Sequence, residues 1–473
     1  MMKKMYLLFL AVSLSISAFA QEKFELGKPN DDNYRYLDEY QALKDYIDHS
    51  KYPNFKLGVG AIESDYLNKS LVKKLINTNF TETVPGNAMK MGSVVDANGN
   101  MNFTTVKNFV NTATRAGLNV YGHTLAWHSQ QPKAWLLKLL TSKSAKTPLT
   151  QQECHDTLVY AMDKWIKGMM KACNGKVKAW DLVNEPLAGE GNDGEGNYTL
   201  QHAEGYDPDD TSTWDVGGEN FFWQDYMGDL EYVRQACRLA RKYGPEDMVL
   251  FINDYNLEGS WDLVNKDGVM ASKKLVSLIN WIKKWEADGV TKIDGIGTQM
   301  HLYYFEDSGI QANLKKAITG MFKLMAKTGK LVRVSELDMG YSLNGHYESI
   351  PTSQLTEAQH KKMANFYEWI IKEYLRIIPP EQQWGICPWN VTDSPANSGW
   401  RPNSPVGIWD TNYYRKHVYA GFVRGLGGVV DGIMPITPHF SEGVWYDMKG
   451  QELINKPTTT GVYIINGKKV VIK

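Results

Sequence analysis

Val177-Lys178-Ala179-Trp180-Asp181-Leu182-Val183-Asn184-Glu185-Pro186 reads as a short β-strand stopped by proline, with an asparagine and a glutamate at its carboxyl end. Leu331-Val332-Arg333-Val334-Ser335-Glu336-Leu337-Asp338 repeats the arrangement and again ends in a glutamate. Six more short β-branched runs lie near Leu57–Ile62, Asn79–Val84, Leu118–His123, Met248–Asp254, Ile293–His301 and Trp384–Asn390. Helical periodicity follows each in turn, over Leu67–Ile76, Val106–Ala116, Cys154–Met170, Tyr232–Lys242, Ala271–Trp285, Asn313–Thr328 and Thr356–Ile377, and Arg415–Leu426 closes the series. No glycine-rich phosphate turn opens any of these helices. Eight successive βα units therefore predict an α/β fold of the closed (β/α)8 TIM-barrel type over roughly residues 53–430, and not an open doubly wound sheet.

Two stretches interrupt the repeat: Leu187–Phe222 after the fourth strand and Asn390–Asp410 after the eighth. Both fall at the carboxyl-end face, where βα loops build sites. The two strand-end glutamates, on strands 4 and 7, point to the same mouth. Paired carboxylates on one rim, about 5 Å apart, are what retaining glycosidic cleavage needs. One holds its proton for the leaving oxygen and the other stays ionised to attack the anomeric carbon; their mutual repulsion separates the roles.

The rest of the chain bounds the reading. Its 473 residues carry 52 Lys+Arg against 53 Asp+Glu, a net charge of −1, so no excess charge draws it to nucleic acid. Hydrophobic residues at 43% and charged residues at 22% disfavour disordered and fibrous classes. Lys3 and Lys4, the apolar run Tyr6–Ile16 and Ala18-Phe19-Ala20 form a secretory signal pattern with cleavage expected before Gln21. The run is too short for a membrane span, and no later stretch is long and apolar enough for one. Residues 1–20 thus read as signal peptide, 21–52 as a leader, 53–430 as the barrel and 431–473 as a small β tail. An exported protein, at the cell surface, in the periplasm or outside the cell, is expected.

Cys154 and Cys173 read as the two ends of one helix, Thr150–Asn174, about 28 Å apart and so unable to pair. Cys237 and Cys387, in apolar contexts, fit small core residues better than a bridge. In the tail, Val444–Gln451 and Val462–Ile472 each read as a hairpin, the second turning at Asn466-Gly467. The tail resembles the small C-terminal sorting domains of type IX export, and a plain β extension on the barrel accounts for it equally well.

The motifs together resemble the family 10 glycoside hydrolases, typified by endo-β-1,4-xylanases. The likeness covers most of residues 53–430. It rests on Gly122-His123-Thr124-Leu125-Ala126-Trp127-His128-Ser129-Gln130-Gln131-Pro132, on Trp180–Glu185, on Phe251-Ile252-Asn253-Asp254-Tyr255-Asn256, on Gly295-Ile296-Gly297-Thr298-Gln299-Met300-His301, on Ser335–Asp338, and on Trp389-Asn390-Val391-Thr392-Asp393 with Trp400-Arg401-Pro402.

The resemblance implies a retaining enzyme that cleaves xylan or xylo-oligosaccharides without cofactor or metal. Glu185 would be the acid/base, Glu336 the nucleophile and Asn184 a donor to the sugar 2-hydroxyl. His301 would orient Glu336 with Asp338 behind it, and Gln299 and Tyr255 would line the same pocket. Asn87, Lys90, His123, Trp127 and Gln130 would grip the glycone sugars, and Trp389 and Trp400 would wall the cleft. Indoles suit flat sugar faces, and amide, imidazole and ammonium groups suit hydroxyls.

Most of the 15 tryptophans read as packing residues, and His128 reads as structural. A His123/His128/His301 metal site is disfavoured, because the neighbouring Trp and Gln fit sugar better. The family's usual Glu-Asn-x-Met-Lys appears here as Gly86-Asn87-Ala88-Met89-Lys90, which bears on whether linear or decorated chains are preferred. Asn390 replaces a common glycine. Asp207, Asp209, Asp210 and Asp215 in the insertion meet no calcium-loop spacing. A barrel glucanase or a silent glycan-binding protein is the competing reading, and a monomer is expected.

Overall fold

A computed structural model describes residues 26–29, 31–141, 149–207, 209–210, 219–428, 445–446, 452–453, 457, 459–465 and 468–472. The signal-like segment 1–20, Asp215 and the Asn466-Gly467 turn lie outside the described residues.

Eight parallel strands form a closed ring: β1 (Lys56–Leu57 and Gly60–Ala61), β2 (Glu82–Pro85), β3 (Asn119–Gly122), β4 (Ala179–Asn184), β5 (Val249–Asp254), β6 (Gly295–Thr298), β7 (Leu331–Ser342) and β8 (Gln383–Pro388). The first half of β1 pairs with β8 and its second half with β2, which joins the two edges of the sheet. The outer helices are α1 (Ser70–Asn79), α2 (Thr104–Arg115), α3 (Gln151–Cys173), α4 (Glu231–Tyr243), α5 (Lys273–Glu286), α6 (Ser308–Lys327), α7 (Glu357–Ile377) and α8 (His417–Gly425). The protein is a (β/α)8 barrel, and every strand read from the sequence is present within a few residues of its expected bounds.

α3 shows why local sequence suffices for these helices. Thr150 caps it by accepting the Glu153 N–H while the Glu153 side chain accepts the Thr150 N–H, and Asn174 ends it in a left-handed turn at φ 49°. Cys154 and Cys173 sit at its two ends, and all four cysteines are free and buried.

The lumen is filled by Val84, Tyr121, Ala179, Phe251 and Cys387, with Trp384 against them. Arg333, also inside, lies 3.7 Å over the Tyr121 ring and 3.6 Å from Glu82. A second, larger core lies between the strands and the apolar faces of the helices.

Two departures from a plain barrel matter for the site. β4 and β5 lose register between Asp181 and Val183, and β7 and β8 between Val334 and Leu337. Each is a bulge just ahead of, or at, a strand-end glutamate, and a bulge re-aims the side chains that follow it. β7 also runs on past the ring to pair with an extra strand, His301–Phe305.

The leader 26–47 is a strap laid across the joint between the last and first helices. Leu37 and Leu43 are buried, Arg415 Nη1 donates to the Leu37 and Tyr40 carbonyls, and the Tyr419 hydroxyl donates to Gln41 O and Asn79 Oδ1. In the tail the two hairpins merge into one four-stranded antiparallel sheet, since Trp445–Tyr446 pairs with both Glu452–Leu453 and Gly461–Ile465. No helix among the described residues is long and apolar enough to cross a membrane.

Candidate active site

The carboxyl ends of the strands open on a cleft of about 680 Å³. Of the residues expected there, Asn87, Lys90, His123, Trp127, Gln130, Asn184, Glu185, Gln299, His301, Glu336, Trp389 and Trp400 all line it. Asp338 stands behind His301, as anticipated, with its Oδ1 3.1 Å from His301 Nδ1. That contact is an ion pair by distance without the alignment of a hydrogen bond. Tyr255 is not among the walls. Its ring lies 3.4 Å beneath the Lys274 ammonium, close enough to Asp254 and Glu185 that their charges, added to burial, push its hydroxyl up. His128 is also outside the walls, stacked on Phe222, and burial together with Lys274 pulls it down to about 4.

Glu185 follows the last residue of β4 in the left-handed region, φ 53°, a conformation costing a non-glycine residue about 1–3 kcal/mol. Its N–H is anchored on Asn253 O at 2.7 Å. Gln130, Met300 and Arg401 share the same backbone region at φ 48°, 54° and 43°, so the strain gathers around this site. The Glu185 carboxyl accepts from Gln299 Nε2 (2.8 Å) and Asn184 Nδ2 (3.1 Å) on one oxygen and from Trp127 Nε1 (3.0 Å) on the other.

Glu336 sits in the β7 bulge, its N–H on Gln299 O. Its Oε1 accepts from Asn253 Nδ2 at 2.9 Å and its Oε2 from His301 Nε2 at 3.3 Å. Asn253 Nδ2 also donates to Asn184 Oδ1 at 2.8 Å, and Asn184 donates to Glu185. Two carboxamides therefore connect the two carboxyls. The connection depends on Gly297, where a Cβ would come within 2.5 Å of Asn253 Oδ1. Nothing local in the sequence marks Asn253 for this role, since it is an interior position of the fifth-strand motif.

Electrostatics set the state of Glu336. Burial alone would raise the Glu336 carboxyl, but the His301 hydrogen bond, the charges of His123 and His301 and the Asn253 amide together hold it at about 2. His301, despite burial, is pushed up to about 10 by Asp338 and Glu336, so its imidazolium is hydrogen-bonded to Glu336 and ion-paired with Asp338. Asp338 is in turn fixed by Trp400 Nε1 at 2.7 Å, Asn390 Nδ2 at 3.2 Å and Arg401 Nη1 at 3.0 Å. Arg401 also donates to the carbonyls of His301 and Leu302, clamping the strand that carries the histidine. On the other side, Lys90 Nζ is held by Gln130 Oε1 at 2.7 Å and Asn87 Oδ1 at 3.2 Å.

A group that must be ionised to attack loses activity as pH falls through its pKa. Removing the cation in His301→Asn lets the Glu336 carboxyl rise, so the acid limb of kcat/KM is expected to move up by roughly 1–3 pH units. A pH–rate profile of the variant that keeps the parent's acid limb contradicts this account.

The sequence profile described as glycosyl hydrolase family 10 matches residues 46–424. The chain belongs to that family. Among family 10 relatives, it is 26% identical over 412 residues to endo-beta-1,4-xylanase Xyn10C of Cellvibrio japonicus, covering 82% of this chain and 59% of that one. It is 28% identical over 396 residues to endo-1,4-beta-xylanase A of Thermotoga maritima, covering 81% of this chain and 30% of the relative. The chain thus spans about three fifths of the first of these relatives and less of the second. The solved structure of native xylanase 10C from Cellvibrio japonicus superposes with a TM-score of 0.61 at 25% identity, over 83% of this chain and 74% of that one.

Residues 193–201 of the insertion after β4 are tied to the barrel. Lys284 on α5 pairs with Asp193 at 2.7 Å, Asn280 donates to Asn197 at 2.7 Å, and Gln201 Nε2 donates to Glu185 O at 2.8 Å. Among the described residues, which include Asp207, Asp209 and Asp210, no group of three or more His, Cys, Asp and Glu is placed to hold a metal ion.

Proposed function

We propose that this protein is an exported endo-β-1,4-xylanase that cleaves with retention of configuration. The observation that carries the reading is the pair itself. Glu336 is held ionised by His301 and Asn253, while Glu185 sits in the same cleft under the Trp127, Gln299 and Asn184 donors. Glu336 attacks the anomeric carbon and the glycosidic C–O bond breaks as Glu185 protonates the leaving oxygen. With Glu336 esterified, its negative charge is gone. Glu185 then takes a proton from water, the water oxygen attacks the same carbon, and the ester bond to Glu336 breaks. His301 keeps the nucleophile aimed, and it offsets charge differently in each state.

Xylan is favoured over glucan on the expectation that Trp389 and Trp400, which both line the cleft, stand against the position a C6 hydroxymethyl group would take. Export is supported by the Met1–Ala20 pattern, and the tail is either a sorting module or a β extension. Initial rates on xylan and carboxymethylcellulose, with proton NMR of the first product, test the reading on protein recovered outside the cell and starting at Gln21. A higher rate on xylan and a β product are expected. A higher rate on carboxymethylcellulose or an α product overturns it.

A further inference from the structure

Glu185 takes up its left-handed backbone one residue past the point where β4 and β5 stop pairing, so its peptide groups need partners from outside the ladder. Its N–H goes to Asn253 O, and the Leu187 N–H goes to Asp254 Oδ2 at 3.2 Å. Pro186 between them has no N–H to give. The two carbonyls of the stretch, Glu185 O and Pro186 O, both end on Gln201. Its Nε2 donates to the first at 2.8 Å and its backbone N–H to the second at 2.8 Å. Gln201 does not line the cleft, so whatever it does for the reaction it does through Glu185.

Gln201 is itself fixed from both sides. Before it, the chain returns against its own outgoing limb: Leu187 and Leu200 form an antiparallel bridge, both buried, and the Ala188 N–H donates to Thr199 O. That bridge delivers residue 201 opposite Glu185. The buried Gln224 side chain, on the short helix Trp223–Met227, donates to Gln201 O. After it, His202 lies between two acids, its Nδ1 2.7 Å from Asp225 Oδ1 and its Nε2 3.3 Å from Asp229 Oδ1. The Ala203 N–H donates to the other Asp225 oxygen at 3.1 Å. A side chain held this firmly can in turn hold the backbone it touches.

We propose that Gln201 is a positioning residue for the acid/base: by gripping the carbonyls on either side of Pro186 it keeps Glu185 in its left-handed conformation and its carboxyl aimed at the leaving oxygen. The inference rests on the retaining xylanase reading and adds a residue to it. Without the grip the Glu185 backbone relaxes toward the ordinary extended region, and its carboxyl swings away from Trp127 and Gln299. A displacement of about 1 Å at a proton donor is enough to cost tenfold or more in rate.

Gln201→Met, in the full-length protein, keeps the side chain's length and the backbone N–H and removes the side-chain donor. On xylohexaose, whose leaving alcohol needs a proton, kcat/KM is expected to fall about tenfold, carried by kcat with KM within about twofold. On dinitrophenyl xylobioside, whose leaving group needs none, kcat/KM should stay within about twofold of the parent, because there it reports attack by Glu336 without acid assistance. Gln201→Glu is the second variant. Protonated, its carboxyl still donates to Glu185 O; ionised, it faces that carbonyl with no proton to offer. Its kcat/KM on xylohexaose should match the parent at low pH and fall to the Gln201→Met level as pH rises, with no such step on the dinitrophenyl substrate. Unchanged rates on xylohexaose in both variants, or equal losses on both substrates, overturn the assignment and leave the xylanase reading intact. A change in KM alone overturns it too, since that marks a sugar contact. A parent that hydrolyses neither substrate overturns the xylanase reading and this one with it.

Discussion

Glu336→Ala is expected to lower kcat on every substrate by roughly 10⁵–10⁶-fold, because without the carboxylate no covalent intermediate forms. The size follows from the site's construction. Asn253, His301 and Asp338 are arranged around this one carboxylate, and each loses its purpose when it goes. Leaving-group quality should not rescue the variant, since the missing step is the attack itself. The fold should survive, because the truncated side chain opens on the cleft and not on the packed lumen. Circular dichroism paired with rates on xylan and on an aryl xyloside checks both halves; turnover on the aryl xyloside within tenfold of the parent contradicts the nucleophile assignment.

The second large effect is asymmetric. Glu185→Ala should reduce the rate on xylan by roughly 10²–10⁴-fold, the usual contribution of a positioned general acid. With a dinitrophenyl leaving group, which needs no proton, the first half-reaction should proceed near the parent rate. The second half-reaction still lacks its base, so the ester on Glu336 accumulates, and rapid mixing should show a burst of phenol followed by slow turnover. Equal loss on both substrates, without a burst, would mean that Glu185 acts only as a sugar contact.

Much of this was legible in the chain. Strand-end glutamates announce themselves locally, because a β run, a polar end and a proline are adjacent in sequence, as at Val183-Asn184-Glu185-Pro186. Helix caps such as Thr150 and Glu153 are legible for the same reason. What stayed hidden depends on residues far apart. Asn253 links the carboxyls only because Gly297 lacks a Cβ and Asn184 lies 69 residues away. The bulges at Leu182 and Ser335–Glu336 leave no mark on a two-residue alternation. Arg401 is an ordinary charged residue until its left-handed backbone folds the guanidinium back onto the His301 strand. The motif alone places Tyr255 in the pocket, but the Lys274 ammonium, reaching from α5 toward Asp254, sits over its ring.

The strap over the barrel joint links residues 378 positions apart, Arg415 to Leu37. Bringing such distant points together in a loose chain would cost about 5 kcal/mol in loop-closure entropy. Once the circle of strands is complete, they are already neighbours. The clasp therefore meets little of that cost once the hoop exists: it seals a finished object and does not have to gather its ends.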